Sequence, residues 1–160
     1  MDDRVPMTPR GQQNMKDELR RLKESRPKIS KEIEEARAHG DLKENAEYHA
    51  AKEKQGQTEA RIRDLETKLA LAQVIDPARL SGSKVVFGAT VKLTESESGD
   101  DVTYRIVGDD ESDIKQGLIS INAPLARAMI GRELGDTVRL KTAKGMREYE
   151  IVGVSFDAIP

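Results

Sequence analysis

The chain has 160 residues, 35% of them charged and 36% hydrophobic, with a formal net charge of -2, no cysteine, no tryptophan and two histidines. This composition excludes disulfides, thiol nucleophiles and cysteine-ligated zinc, leaves little for a histidine-based metal centre or triad, and puts any chemistry on carboxylates. No apolar run approaches the ~20 residues of a membrane span and the first residues do not read as a signal peptide, so a cytoplasmic protein of one domain or two small ones is expected.

In chain order, Thr8 followed by Pro9 is a helix start: a capping hydroxyl, then a residue whose fixed φ and missing N–H suit the first turn. Met15, Leu19, Leu22, Arg26, Ile29, Ile33 and Ala36 then alternate spacings of four and three, a heptad seam with one charged member. Pro27 lies inside this pattern and removes a backbone hydrogen bond, which costs ~3 kcal/mol in a helix interior, so a kink or short break is expected near Arg26. Bases dominate residues 16–31 and acids dominate residues 32–47, giving a basic shaft that leads to an acidic end.

The run Arg37-Ala-His-Gly-Asp-Leu-Lys-Glu-Asn-Ala-Glu-Tyr-His49 interrupts the heptads. Beyond it, Tyr48, Ala51, Gln55, Thr58, Ile62, Leu65, Leu69 and Ala72 form a second seam. Two such helices joined by a short turn predict an antiparallel coiled-coil hairpin, and ~1.5 Å per residue over about 30 residues makes it a rod about 45 Å long. At the turn, Gly40 suits a left-handed position after the first helix, while Asp41 and Glu44 have the spacing of a capping box opening the second. The same carboxylates would also be presented at the end of a thin rod, where a metal or a macromolecule could meet them. Spacing leaves both readings open.

The heptads stop at Ala72, and Pro77 with Ser81-Gly82-Ser83 marks a boundary. The expected organisation is a hairpin over 1–75, a linker over 76–83 and a second domain over 84–160. There the period changes to short β runs at 85–93, 102–107, 137–141 and 148–154, with hairpin turns at 98–101 and 143–145 and a capped two-turn helix over 122–131. The fold class is therefore α+β: an antiparallel helical hairpin followed by a small antiparallel sheet domain with a short helix. Phe87, Tyr104, Tyr149 and Phe156 are expected in its core. Asp109-Asp-Glu-Ser-Asp113 lacks the order of a calcium loop and reads as solvated, and His39 and His49 read as surface residues.

The tip Gly40-Asp-Leu-Lys-Glu-Asn-Ala-Glu-Tyr-His-Ala50 resembles the signature of bacterial Gre transcript cleavage factors, and the resemblance extends along nearly the whole chain through Met7-Thr-Pro-Arg-Gly11, Val85-Val-Phe-Gly-Ala-Thr-Val91, Tyr104-Arg-Ile-Val-Gly-Asp-Asp-Glu111 and Leu118-Ile-Ser. The resemblance implies a C-terminal domain of FKBP-like topology that docks on bacterial RNA polymerase, and a hairpin that enters the secondary channel and stimulates cleavage of backtracked RNA. It assigns the functional carboxylates to Asp41 and Glu44, with Gly40, Asn45 and Tyr48 as tip support and Arg37 and Lys52 as the basic spot facing the RNA 3' end. Two exposed carboxylates leave most of an octahedral Mg²⁺ shell open, so the metal would be shared with polymerase and the isolated chain, expected to be a monomer, would be no enzyme. Two other classes compete: an adaptor with an inert tip, and a prolyl isomerase suggested by topology alone.

Overall fold

The computed structural model describes residues 3–40 and 45–157, which form two compact units: residues 13–71, and residues 1–12 together with 72–160. The first unit is the helical hairpin. Helix α1 (Pro9–Arg37) and helix α2 (Ala46–Ala70) bury the two heptad seams: Met15, Ile29, Ile33 and Ala36 on α1 and Ala51, Ile62 and Leu65 on α2 are buried. The remaining seam positions of the two helices are half-buried, except Arg26, which is exposed. Arg26 instead reaches Glu59 on α2 through Nε and Nη2, both at 2.8 Å from its carboxylate oxygens.

The expected break at Pro27 does not occur, because α1 is helical from Pro9 to Arg37. Breaking there would take Ile29 and Ile33 out of register with α2. Each side chain of that size gains ~1.5–3 kcal/mol when fully buried, so the two together outweigh the ~3 kcal/mol that an interior proline costs. A second bidentate pair, Arg61 to Glu18 at 2.8 and 2.9 Å, and a looser one, Lys54 to Glu32 at 3.4 Å, also link the helices. The guanidinium of Arg61 holds the Glu18 carboxyl below its ordinary range, and Arg26 does the same to Glu59. These pairs are largely exposed and set register more than they add stability.

In the second unit, strand β1 (Val5–Met7) pairs in parallel with strand β2 (Ala72–Val74), Val5 opposite Ala72 and Met7 opposite Val74. Ala72, expected as the last seam residue, is thus a strand residue. Helix α2 has already ended at Ala70, with Leu71 as its C-cap. Where the expected division ran 1–75, 76–83 and 84–160, this ladder groups the first twelve residues with the C-terminal strands in one compact unit. Residues 76–83 are not a free linker either, since Pro77 is buried in a 3-10 turn against Gly88.

The main sheet contains β3 (Thr90–Glu95), β4 (Asp101–Val107), β5 (Leu118–Ser120), β6 (Thr137–Thr142) and β7 (Gly145–Ser155), in the order β5-β4-β3-β7-β6. Every neighbouring pair is antiparallel except β4 and β5, which are parallel. The strand expected over 85–93 begins only at Thr90, because Gly88 at φ 90 turns the chain and donates its N–H to Ile106 O. Helix α3 (Pro124–Met129) lies within the expected 122–131, with Pro124 at its first turn and Ala126 and Met129 buried. The core joins Val91, Leu93, Ile106, Met129 and Ile151 with Phe87, and Tyr104, Tyr149 and Phe156 pack against it.

Residues 109–113 are not simply a solvated loop. The Glu111 carboxylate accepts from the N–H of Thr8 at 3.0 Å, from the Thr8 hydroxyl and from the N–H of Gly108 at 3.1 Å. Thr8 is fully buried, and its Oγ1 in turn accepts from Gly11 N–H at 3.1 Å, completing the predicted cap of α1. An anion at the first turn also meets the positive end of the helix dipole. Asp109 accepts from Asn122 Nδ2 at 2.8 Å and from the Ser120 hydroxyl, so the acidic run ties β1, α1 and β5 to one another.

Two outcomes follow from these contacts. A Cβ on Gly108 would lie 2.7 Å from the backbone oxygen of Pro6, so Gly108→Ala should destabilise the C-terminal unit by ~1–3 kcal/mol, read as a lower thermal midpoint for its β signal. The hairpin should lose stability on acidification: the depressed carboxyls of Glu18 and Glu59 stabilise fully above the ordinary carboxylate range, and that contribution disappears as pH falls through their lower folded values. Circular dichroism melts of Glu18→Gln/Glu59→Gln against the parent should show a shallower fall of the helical midpoint below pH ~4.

Candidate functional site at the hairpin tip

The tip is built by the end of α1 and the start of α2. Helix α1 ends at Arg37, and Gly40 follows at φ 118, a conformation that only glycine adopts without strain. Asp41 and Glu44 lie outside the described residues. Helix α2 starts at Ala46 and its N-cap is Asn45, so the capping box with Asp41 at the N-cap is corrected. Asn45 takes an extended backbone, φ -84 and ψ 95, and its Oδ1 accepts from Tyr48 N–H at 3.1 Å. Asn ranks with Asp as a cap, and here its second arm decides: Nδ2 donates to Ala36 O at 2.5 Å, which a carboxylate could not do.

Behind the turn, Tyr48 is half-buried and packs against Ile29, Ile33 and Ala51. The Arg37 guanidinium carbon lies 5.8 Å from the centre of the Tyr48 ring, within cation-π range, and the His49 ring meets that ring edge-on at 5.6 Å. Lys52 is exposed one turn along α2, with Nζ 3.2 Å from Gln55 Oε1. The structure therefore places Arg37, Tyr48 and Asn45 in one group joined by short contacts, with Lys52 a helical turn beyond Tyr48. The sequence reading missed the capping role of Asn45. Its signal was an Asn standing immediately before a helical Ala-Glu-Tyr-His run.

The acidic stretch 32–47 also lines a shallow groove, where Glu32, Glu35 and Glu47 stand around a floor of Ala36, Ala50 and Ala51. Among the described residues, no group of three or more His, Asp and Glu side chains is placed to hold a metal ion.

The chain matches two family descriptions: "Transcription elongation factor, N-terminal" over residues 5–74, and "Transcription elongation factor, GreA/GreB, C-term" over residues 80–156. Transcription elongation factor GreA of Anaeromyxobacter sp. (strain K) is 62% identical over 154 residues, 96% of this chain and 93% of that protein. The GreA of Alkalilimnicola ehrlichii is 57% identical over 155 residues, 96% of this chain and 98% of that one. Among solved structures, the GreA factor homolog 1 (Gfh1) protein of Thermus thermophilus aligns at 28% identity with a TM-score of 0.43, covering 94% of this chain and 98% of that one. Two matched halves spanning the hairpin and the sheet unit, with relatives that share more than half of their residues end to end, assign the chain to the GreA/GreB family of transcription elongation factors, closest to GreA.

Proposed function

We propose that this elongation factor engages bacterial RNA polymerase in the cytoplasm as a monomer, inserts its hairpin into the secondary channel, and stimulates the polymerase's own cleavage of backtracked RNA. The observation that carries this reading is the tip: a signature with two acids, Asp41 and Glu44, between a glycine turn and a capped helix whose first turn holds Tyr48 against Arg37. Arg37, kept in place by the aromatic ring, and Lys52 supply the positive charge that an RNA phosphate near the 3' end would meet.

The donor set fits Mg²⁺ only in part, since Asp41 and Glu44 are hard oxygen ligands but two carboxylates cannot complete an octahedral shell. Held jointly by these acids and by polymerase carboxylates, the ion would activate water and stabilise charge on the phosphodiester. This chain's own contribution is to carry the two acids and the two bases to the RNA end. It is a factor that stimulates cleavage, not the catalyst.

Because Asn45 caps α2, the acids can be neutralised without touching that cap. Asp41→Asn and Glu44→Gln should leave the helical midpoint nearly unchanged, still compete with the parent for RNA polymerase, and lose at least about tenfold in stimulated cleavage of stalled complexes. Wild-type cleavage by both variants would favour the inert-tip adaptor. A further check is nuclease activity of rigorously polymerase-free protein with Mg²⁺ or Mn²⁺, which should be absent because the site is incomplete.

A further inference from the structure

We infer that Asn45 is a positioning residue for the tip carboxylates, acting as a two-armed tie between the last turn of α1 and the first turn of α2. The inference rests on the tip reading above. Its basis is geometric. One arm, Oδ1, accepts from Tyr48 N–H in the first turn of α2, and the other, Nδ2, donates to Ala36 O in the last turn of α1. The partners are one donor and one acceptor, so the orientation of the amide is determined and no other common N-cap residue serves both. Aspartate has two acceptors and would face the Ala36 oxygen with negative charge, while serine caps but is too short to reach across.

The same carbonyl of Ala36 also accepts from His39 N–H at 3.1 Å, so the bond from Asn45 lands where α1 is already closing into the turn. Below it, Tyr48 packs on Ile29, Ile33 and Ala51, with Arg37 over its ring. The seam here is made of small residues, Ala36 and Ala51, which offer little buried area to hold two helix ends together. A hydrogen bond from one helix cap to the other helix end supplies that hold. The segment carrying Asp41 and Glu44 starts and finishes at Gly40 and Asn45, so fixing the separation of those ends narrows where the acids can be presented.

The test uses the full-length chain with stalled RNA polymerase and compares Asn45→Ser, Asn45→Asp and Asn45→Ala with the parent. Ser and Asp keep the cap and lose only the bond to Ala36, so their helical midpoints should fall less than that of Ala, which loses both. Both cap-keeping variants should lose about ten- to a hundredfold in maximal stimulated cleavage, with less than about a twofold change in the factor concentration giving half-maximal stimulation. In the free parent protein, the Asn45 side-chain amide protons should be shifted in NMR spectra and protected from exchange relative to other asparagines.

Full maximal cleavage by Asn45→Ser, or an unprotected Asn45 amide, would overturn the tie. Loss confined to Asn45→Asp would also overturn it, since that marks a charge effect at the tip. Asp41→Asn is run alongside: if it cleaves like the parent, the carboxylate reading fails, while the NMR result still decides whether the tie exists.

Discussion

A hairpin of two long helices has no core other than the seam between them, and everything carried at its far end depends on the register of that seam. In this chain the seam is thin near the tip, where Ala36 meets a helix presenting Ala51, and stronger along the shaft, where Ile62 and Leu65 are almost wholly buried. A slip of one residue would rotate the heptads out of contact and part Arg26 from Glu59 and Arg61 from Glu18 together. Each exposed pair is worth little by itself, but both are bidentate and both would be broken by the same slip, so they reject alternative registers more effectively than they stabilise the chosen one. The same argument explains how the hairpin tolerates Pro27: the lost backbone bond is local, whereas the register is held on both sides of it.

The C-terminal unit solves a different problem, that of holding a helix by its first turn. The helix N-terminus is anchored three times within this unit: by the parallel pairing of β1 and β2, by the buried cap of Thr8, and by the Glu111 carboxylate that accepts from Thr8 and Gly108. Close approach is part of this anchorage. Neither Gly11 nor Gly108 has room for a Cβ, the first because of the Glu111 carboxyl and the second because of the Pro6 carbonyl. Two stretches about a hundred residues apart in the chain, Met7-Thr-Pro-Arg-Gly11 and Gly108-Asp-Asp-Glu111, are in this way one structural feature.

At the tip, the cap of α2 falls on Asn45, a residue other than the two acids proposed to carry the chemistry. Had Asp41 been the cap of α2, its carboxylate would have been committed to backbone N–H groups and less available as a ligand. Asn45 takes that task, and as a neutral amide it adds no charge beside the two acids. Under the proposed function, the residue that caps α2 and the groups that would meet metal and RNA are separate, and among the described residues Arg37 lies over the Tyr48 ring.

Periodicity alone was sufficient for the hairpin, since a repeat of four and three on both sides of a glycine-containing break has few other solutions, and the change to short β runs after Pro77 located most of the sheet. The Thr8-Pro9 start of α1 was legible for the same reason, because a cap is a local interaction between residues close in sequence. What the sequence concealed was non-local. Nothing in Val5-Pro-Met7 announces a parallel partner at residues 72–74, nor does an acidic run reveal that Glu111 will find Thr8 about a hundred residues earlier. The strand expected from Val85 is cut by the positive φ of Gly88, beside which Pro77 packs. At the tip, the residue types of the candidate site could be read from the motif, but the choice of Asn45 over Asp41 as the cap was made by the carbonyl of Ala36 on the other helix, because only tertiary folding places an acceptor where the second arm of an amide can use it.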